Sequence, residues 1–189
     1  FSKEQTIGWL RQAEIKHGRV SMAAFIGYIV QSNFHFPWAI CLDGTPFPST
    51  DLNPAEQWDV LPFAGKVQII LFVGFLEWYS ELKDDEEGHY VNGGKPGYFT
   101  SFESIPHWAP NLYDPLGLSK NMKASTKERR LRAEINNGRL AMIGIMGFMC
   151  EQSIPGSVPY LTGKIIPYSG QIMAPFEGNV EQVLDLFRS

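Results

Sequence analysis

The sequence predicts an all-α membrane protein. Three transmembrane helices are expected, the first and third a crossed pair related by a pseudo-two-fold axis, with a short amphipathic helix near the C-terminus. Three observations carry this prediction. Apolar residues gather in three segments separated by proline-rich loops, basic residues are sorted to one side of those segments, and part of the first segment recurs in the third. The 189 residues are read as a single domain, 1–189.

The first helix is expected over about 2–32. Its densest apolar stretch, Val20 to Val30, has 11 residues, against the roughly 20 that a bilayer span needs. Extension back to Ile7 gives 24 residues, about 36 Å at 1.5 Å per residue, but takes in Arg11, Glu14, Lys16, His17 and Arg19. Asn33 and Pro37 end it. A second helix is expected over about 60–83, built on FAGKVQIILFVGFLEWYSEL with Asp59 as N-cap and the acidic run DDEE after it. A third, about 125–154, opens on Ser125-Thr-Lys-Glu128, the form of a capping box, and stops at Pro155-Gly156. Residues 33–58 and 88–124 hold eight of the 13 prolines and read as loop. Near the end, Val180, Val183, Leu184 and Phe187 follow the i, i+3, i+4, i+7 rule of an amphipathic helix over about 179–187. With Glu181 and Asp185 on its other side, that helix either lies flat on a membrane surface or caps a soluble core.

Charge placement separates the membrane case from the soluble one. No Lys or Arg lies between Val20 and Gly65, whereas Lys120 to Arg139 holds seven of the 16 basic residues, and only Lys164 and Arg188 follow Leu140. With three spans, the N-terminus and the loop before the third helix share one basic side, as the positive-inside rule requires. The net charge of −4 gives no reason to expect a nucleic-acid partner. Cys41 and Cys150 form no CxxC pattern and read as buried or interfacial small hydrophobes. No phosphate loop, G-x-S-x-G or H-E-x-x-H is present, so no enzymatic activity is expected. With no cleavable signal visible, the chain reads as a mature or trimmed product.

The repeat gives the charges a reason. A shift of 120 residues aligns AEIKHGRVSMAAFIGY, 13–28, with AEINNGRLAMIGIMGF, 133–148, with seven identities in 16 positions. Glu14 and Arg19 are five apart, about 140° around one helix, so they pair poorly within it. Across a symmetric crossing, Glu14 meets Arg139 and Glu134 meets Arg19. Gly18 and Gly138 lie between the paired residues and let two backbones approach. A buried charge must be paired, and removing one partner of a buried pair costs on the order of 3–5 kcal/mol. A carboxylate bound to Arg still has lone pairs to offer a metal, and His17 and Asn137 stand one turn on from the two glutamates. No second protein ligand converges on any of them, so a protein-built zinc site is excluded. A metal already held in a macrocycle lacks only an axial ligand. The plainer readings are a structural ion-pair clamp, interhelical hydrogen bonds from His17, Asn137 and Gln68, and an interfacial helix end at Glu77.

At these residues the chain resembles the chlorophyll-binding light-harvesting antenna family. The resemblance rests on the paired E-x-x-H/N-G-R motifs, the three spans and the proline-rich loop with YDPLGL at 113–118, and it covers nearly the whole chain. HFPW after the first helix and IPGSVP after the third look most like the chlorophyll a/c branch. The resemblance implies Glu14, His17, Glu134 and Asn137 as axial magnesium ligands, with Arg19 and Arg139 closing the ion pairs. It further implies Glu77 and Gln68 as pigment ligands on the second helix, with Gly27 and Glu151 as weaker candidates. The cofactors implied are chlorophyll a, chlorophyll c and a carotenoid of peridinin or fucoxanthin type, with diadinoxanthin a further candidate. The partners are a photosystem core, neighbouring antenna subunits and thylakoid lipids, with a narrower lean to a peridinin-type antenna on photosystem I. The place is the plastid thylakoid membrane, N-terminus stromal and C-terminus lumenal. A photoprotective relative that dissipates energy and a non-pigmented membrane scaffold are the competing functions.

Overall fold

A computed structural model describes residues 2–82, 88–98, 114, 116–118, 121–172 and 174–188. Tyr113 and Pro115 of YDPLGL, all of DDEE and Lys120 lie outside the described residues. The described chain is helical, with no strand among these residues. Its helices are α1 (Lys3–Gln31), α2 (Pro54–Asp59), α3 (Phe63–Glu81), α4 (Ala124–Ser153) and α5 (Val180–Arg188), with 3-10 turns at Tyr90–Asn92 and Glu177–Asn179. No helix among the described residues is long and apolar enough to cross a membrane. Charged and amide side chains, from Glu14 to Arg19 in α1 and from Lys66 to Glu77 in α3, interrupt the apolar runs.

Local chemistry sets the boundaries. At the start of α1, the Ser2 hydroxyl accepts from Gln5 N at 3.2 Å and Gln5 Oε1 accepts from Ser2 N at 2.8 Å, a reciprocal capping box. At its end the Ser32 hydroxyl and Asn33 amide donate to the carbonyls of Tyr28 and Ile29, among the last carbonyls of the helix. The box expected at Ser125 is absent. Helix α4 begins one residue earlier, and Glu128 turns forward to Arg132. Asp59 is likewise not the cap of α3. It ends α2, a helix the periodicity does not reveal although Asn53-Pro54 announces it: Asn53 Oδ1 accepts from Ala55 N at 2.8 Å, and Pro54 fills the first turn.

The chain divides into two compact units. The first comprises Phe1–Met22 and Gly74–Met142, the second Ala23–Val73 and Ile143–Ser189. In the first, α1 and α4 touch backbone to backbone at Gly18 and Gly138, both buried. A Cβ added at Gly138 would lie 2.8 Å from Gly18 Cα, so only glycine permits the approach. Gly8 meets the carbonyl of Tyr90 in the same way, and buried Gln12 accepts from the Gly97 amide at 2.6 Å.

In the second unit, Phe25 and Tyr28 stack on Phe148 at 5.0 and 4.9 Å. Around them runs a polar network. Asn53, fully buried, donates to Ile166 O at 2.6 Å and to the Tyr28 hydroxyl at 3.0 Å. Tyr28 donates in turn to Gln152. Lys66, also fully buried, donates to Asp59 O and Asn179 Oδ1. Tyr168 donates to Asp59 Oδ2 at 2.7 Å, and burial followed by this hydrogen bond raises its phenol above the ordinary range. Val180 and Leu184 on α5 are exposed.

Burial is inverted. Among the described residues only Tyr90 and Phe148 are buried apolar side chains, whereas Gln12, Asn53, Gln57, Lys66, Glu151, Gln152 and Asn179 are buried polar ones. Ile69, Leu71, Phe72, Val73 and Trp78 of α3 are all exposed, although it is exposed apolar surface that calls for explanation in a folded chain. Of the two readings of the cysteines, buried or interfacial, burial does not hold for Cys150, which is exposed; Cys41 is half-exposed, and both are free.

Candidate pigment-ligand site

The first unit brings together most of the residues singled out by the repeat. Arg19 Nε donates to Glu134 Oε1 at 2.6 Å, and Arg139 Nε donates to Glu14 Oε1 at 2.7 Å. The pairs flank the Gly18–Gly138 contact, so the helix approach that glycine allows also brings the charges within reach. They are not equally sheltered. The Arg19–Glu134 side chains are 25% and 29% exposed, the Arg139–Glu14 side chains 58% and 34%. Symmetry in the sequence therefore does not mean equal energy, because an exposed pair is worth less.

His17 is exposed, and its Nδ1 lies 2.8 Å from Ala13 O on its own helix. A carbonyl only accepts, so Nδ1 carries the proton and Nε2 keeps the lone pair. An imidazole whose other nitrogen is held by a backbone carbonyl is oriented for a metal. Asn137 is exposed, and its side chain makes no hydrogen bond among the described residues. Among the described residues neither makes an interhelical hydrogen bond.

Glu77, also in the first unit, is not a bare helix end. Its Oε2 accepts from Lys16 Nζ at 2.7 Å, and Lys16 reaches Glu81 at 3.3 Å. Sequence reasoning missed Lys16 because its partner lies 61 positions away. Beside it, Tyr90 is 8% exposed and donates to Glu81 at 2.9 Å; burial and then that bond push its phenol up to about 12.

The second unit holds the remaining candidates. Gln68 is exposed on α3 without a side-chain hydrogen bond among the described residues. Gly27 faces open space, as does Gly147, its counterpart in the repeat. Glu151, the other weaker candidate, is held by backbone amides. It is 2% exposed, and its two oxygens accept from Gly156 N at 2.9 Å and Val158 N at 2.8 Å. Its carboxylate is committed to the turn after α4, where Gly156 takes a φ of +90°.

No group of three or more His, Cys, Asp or Glu able to hold a metal ion occurs among the described residues. Single exposed donors beside paired charges fit a metal that brings its own equatorial ligands.

Known proteins are similar to this chain in sequence. Residues 1–153 match the family described as chlorophyll A-B binding protein. The chain is 35% identical over 146 residues to fucoxanthin-chlorophyll a-c binding protein B, chloroplastic, of Phaeodactylum tricornutum, a match that covers 77% of this chain and 65% of that protein. It is 36% identical over 154 residues to the fucoxanthin-chlorophyll a-c binding protein, chloroplastic, of Trieres chinensis, covering 79% of this chain and 68% of that protein. A third, fucoxanthin-chlorophyll a-c binding protein F of Macrocystis pyrifera, is 29% identical over 160 residues, 83% of this chain and 66% of its own. The chain thus matches about two thirds of the length of these relatives. It belongs to the chlorophyll A-B binding protein family.

Proposed function

We propose that the chain is a light-harvesting antenna subunit of the thylakoid membrane that binds chlorophyll a, chlorophyll c and a carotenoid and passes excitation to a photosystem. The inverted burial carries the reading. Among the described residues many large apolar side chains are exposed while most of the buried side chains are polar, as suits a chain surrounded by lipid and flat apolar pigments. The relatives' names favour fucoxanthin over peridinin as the carotenoid. They also carry the word chloroplastic, in keeping with a plastid location.

In this reading α1, α3 and α4 span the bilayer despite their charges. Hydropathy scores each charge as if alone, but Glu14, Arg19, Glu134, Arg139, Lys16 and Glu77 are paired with one another, and a paired charge costs far less to remove from water. The sorting of basic residues puts the N-terminus on the stromal side and the C-terminus in the lumen. Glu14, His17, Glu134, Asn137, Glu77 and Gln68 would each hold a chlorophyll through its magnesium, with the Gly27 backbone a weaker candidate. The bound pigments supply light absorption and energy transfer. The side chains fix where each ring sits, and the bond-making steps of an enzyme have no part. Exposed apolar faces on α3 leave room for neighbouring antenna subunits and a photosystem core, and migration with photosystem I on a sucrose gradient tests that choice of partner.

The decisive experiment is a pigment count with an absorption spectrum of the gently purified protein. Chlorophyll a, chlorophyll c and fucoxanthin in fixed ratio are expected, with excitation of the carotenoid producing chlorophyll a fluorescence. Absence of chlorophyll would sink the antenna reading and leave a membrane scaffold. Bound pigment with a strongly shortened fluorescence lifetime would point to dissipation.

A further inference from the structure

We propose that Lys16 is a positioning residue for Glu77, the third counter-cation of the pigment-bearing surface and one that the repeat does not supply. The proposal rests on the reading of Glu77 as a pigment ligand.

The argument begins with the two copies of the repeat. Arg19 and Arg139 occupy matching positions and serve matching glutamates on α1 and α4. Lys16 aligns with Asn136, which carries no charge, so this cation occurs in one copy alone. Its partners are on α3, a helix outside the repeat: Lys16 Nζ lies 2.7 Å from Glu77 Oε2 and 3.3 Å from Glu81 Oε1. Glu77 and Glu81 are one turn apart, a spacing at which like charges repel, and Lys16 bridges them.

The second carboxylate is anchored. His89 Nδ1 accepts from Val91 N at 3.2 Å, which leaves the ring proton on Nε2, and Nε2 donates to Glu81 Oε2 at 3.1 Å. Tyr90 donates to the same oxygen at 2.9 Å. Glu81 is thereby fixed by the 3-10 turn and holds the ammonium, which in turn holds Glu77. Lys16 takes only Oε2 of Glu77, and Oε1 has no hydrogen bond among the described residues. Glu77 thus has one oxygen bound to a cation and one spare. Without Lys16 its carboxylate has no ion-pair partner among the described residues, and an unpaired charge turns toward water.

A zero-length carbodiimide cross-link, mapped by mass spectrometry in the pigment-free protein in detergent, tests the geometry. A Lys16–Glu77 amide is expected, and exclusive coupling of Lys16 to Glu81 overturns the proposal. Pigment counts on the refolded full chain test the role. E77A and K16M are each expected to lose the same one chlorophyll, K16R to keep it, and far-UV circular dichroism to show unchanged helix in all three. In an E77Q background, where a neutral amide needs no cation, K16M is expected to cost no further pigment. Loss in E77A with full retention in K16M overturns the role of Lys16 alone. Further loss from K16M in the E77Q background likewise reduces Lys16 to a structural residue. Full retention in E77A overturns the ligand reading of Glu77 and the proposal with it.

Discussion

Replacing Gly138 by alanine puts the helix crossing under direct strain. The new methyl carbon would stand 2.8 Å from Gly18 Cα, 3.3 Å from its carbonyl carbon and 3.6 Å from its oxygen. All three are backbone atoms, so no side chain can swing aside. Carbon–carbon contact is comfortable at about 3.5–4.0 Å, so α1 and α4 must part by roughly 1 Å. Overpacking of this kind costs about 1–3 kcal/mol. The separation also stretches the Arg–Glu contacts of 2.6 and 2.7 Å beside it, worth at most about 1 kcal/mol each where exposed. Against this stands the helix propensity that alanine gains over glycine, about 1 kcal/mol. The net expectation is a loss of about 1–3 kcal/mol, a fall of several degrees in the midpoint of thermal unfolding for a chain of this size. Circular dichroism at 222 nm on the pigment-free protein reads it. Gly147→Ala is the control, because open space surrounds that Cβ and only the propensity gain remains. A Gly138→Ala protein that melts at or above the wild-type temperature would refute the argument.

Further outcomes follow from other contacts of the first unit. Arg19→Leu is expected to impair refolding more than Arg139→Leu, since its pair is the less exposed; equal refolding yields would contradict this. Arg139→Leu should still lower the yield of pigmented protein, because assembly removes that pair from water too. His17→Leu is expected to lose about one chlorophyll with helix content unchanged, because its hydrogen bond is confined to Ala13 of its own helix; pigment extraction and far-UV circular dichroism decide. Tyr90 is held up at about 12 in the folded chain against about 10 when unfolded. Its contribution to stability is therefore complete below pH 10 and fades as pH rises toward 12. Tyr90→Phe should remove one late-titrating phenolate from absorbance at 295 nm and flatten the alkaline loss of stability.

The crossing was the most legible part because it depends on local repetition. The 120-residue offset matches Glu14 with Glu134 and Arg19 with Arg139, and a five-residue spacing that cannot close within one helix leaves closure across two helices. Helix α1 ends where Asn33 and Pro37 interrupt it, and α4 where Pro155-Gly156 does. The 3-10 turn at Tyr90–Asn92 and the fixed conformation of the Gly97 segment were not legible, since Gln12, Gly8 and Ile15 on α1 hold them from far along the chain. Helix α2 carried a readable signal in Asn53-Pro54, hidden by its six-residue length.

Composition and spacing by themselves determined the helical class, the clamp and the places of His17 and Asn137 one turn from its glutamates, because each follows from helical period and repeat. Tertiary structure decided which polar groups are already satisfied. Glu151 and Lys66 look in sequence like charges available for work, yet folding commits one to the amides of Gly156 and Val158 and the other to Asp59 and Asn179. Lys16 looks like a solvated lysine and becomes the cation between Glu77 and Glu81. A hydrogen bond is a relation between groups brought together by the fold, and the chain's order of residues does not contain that distance.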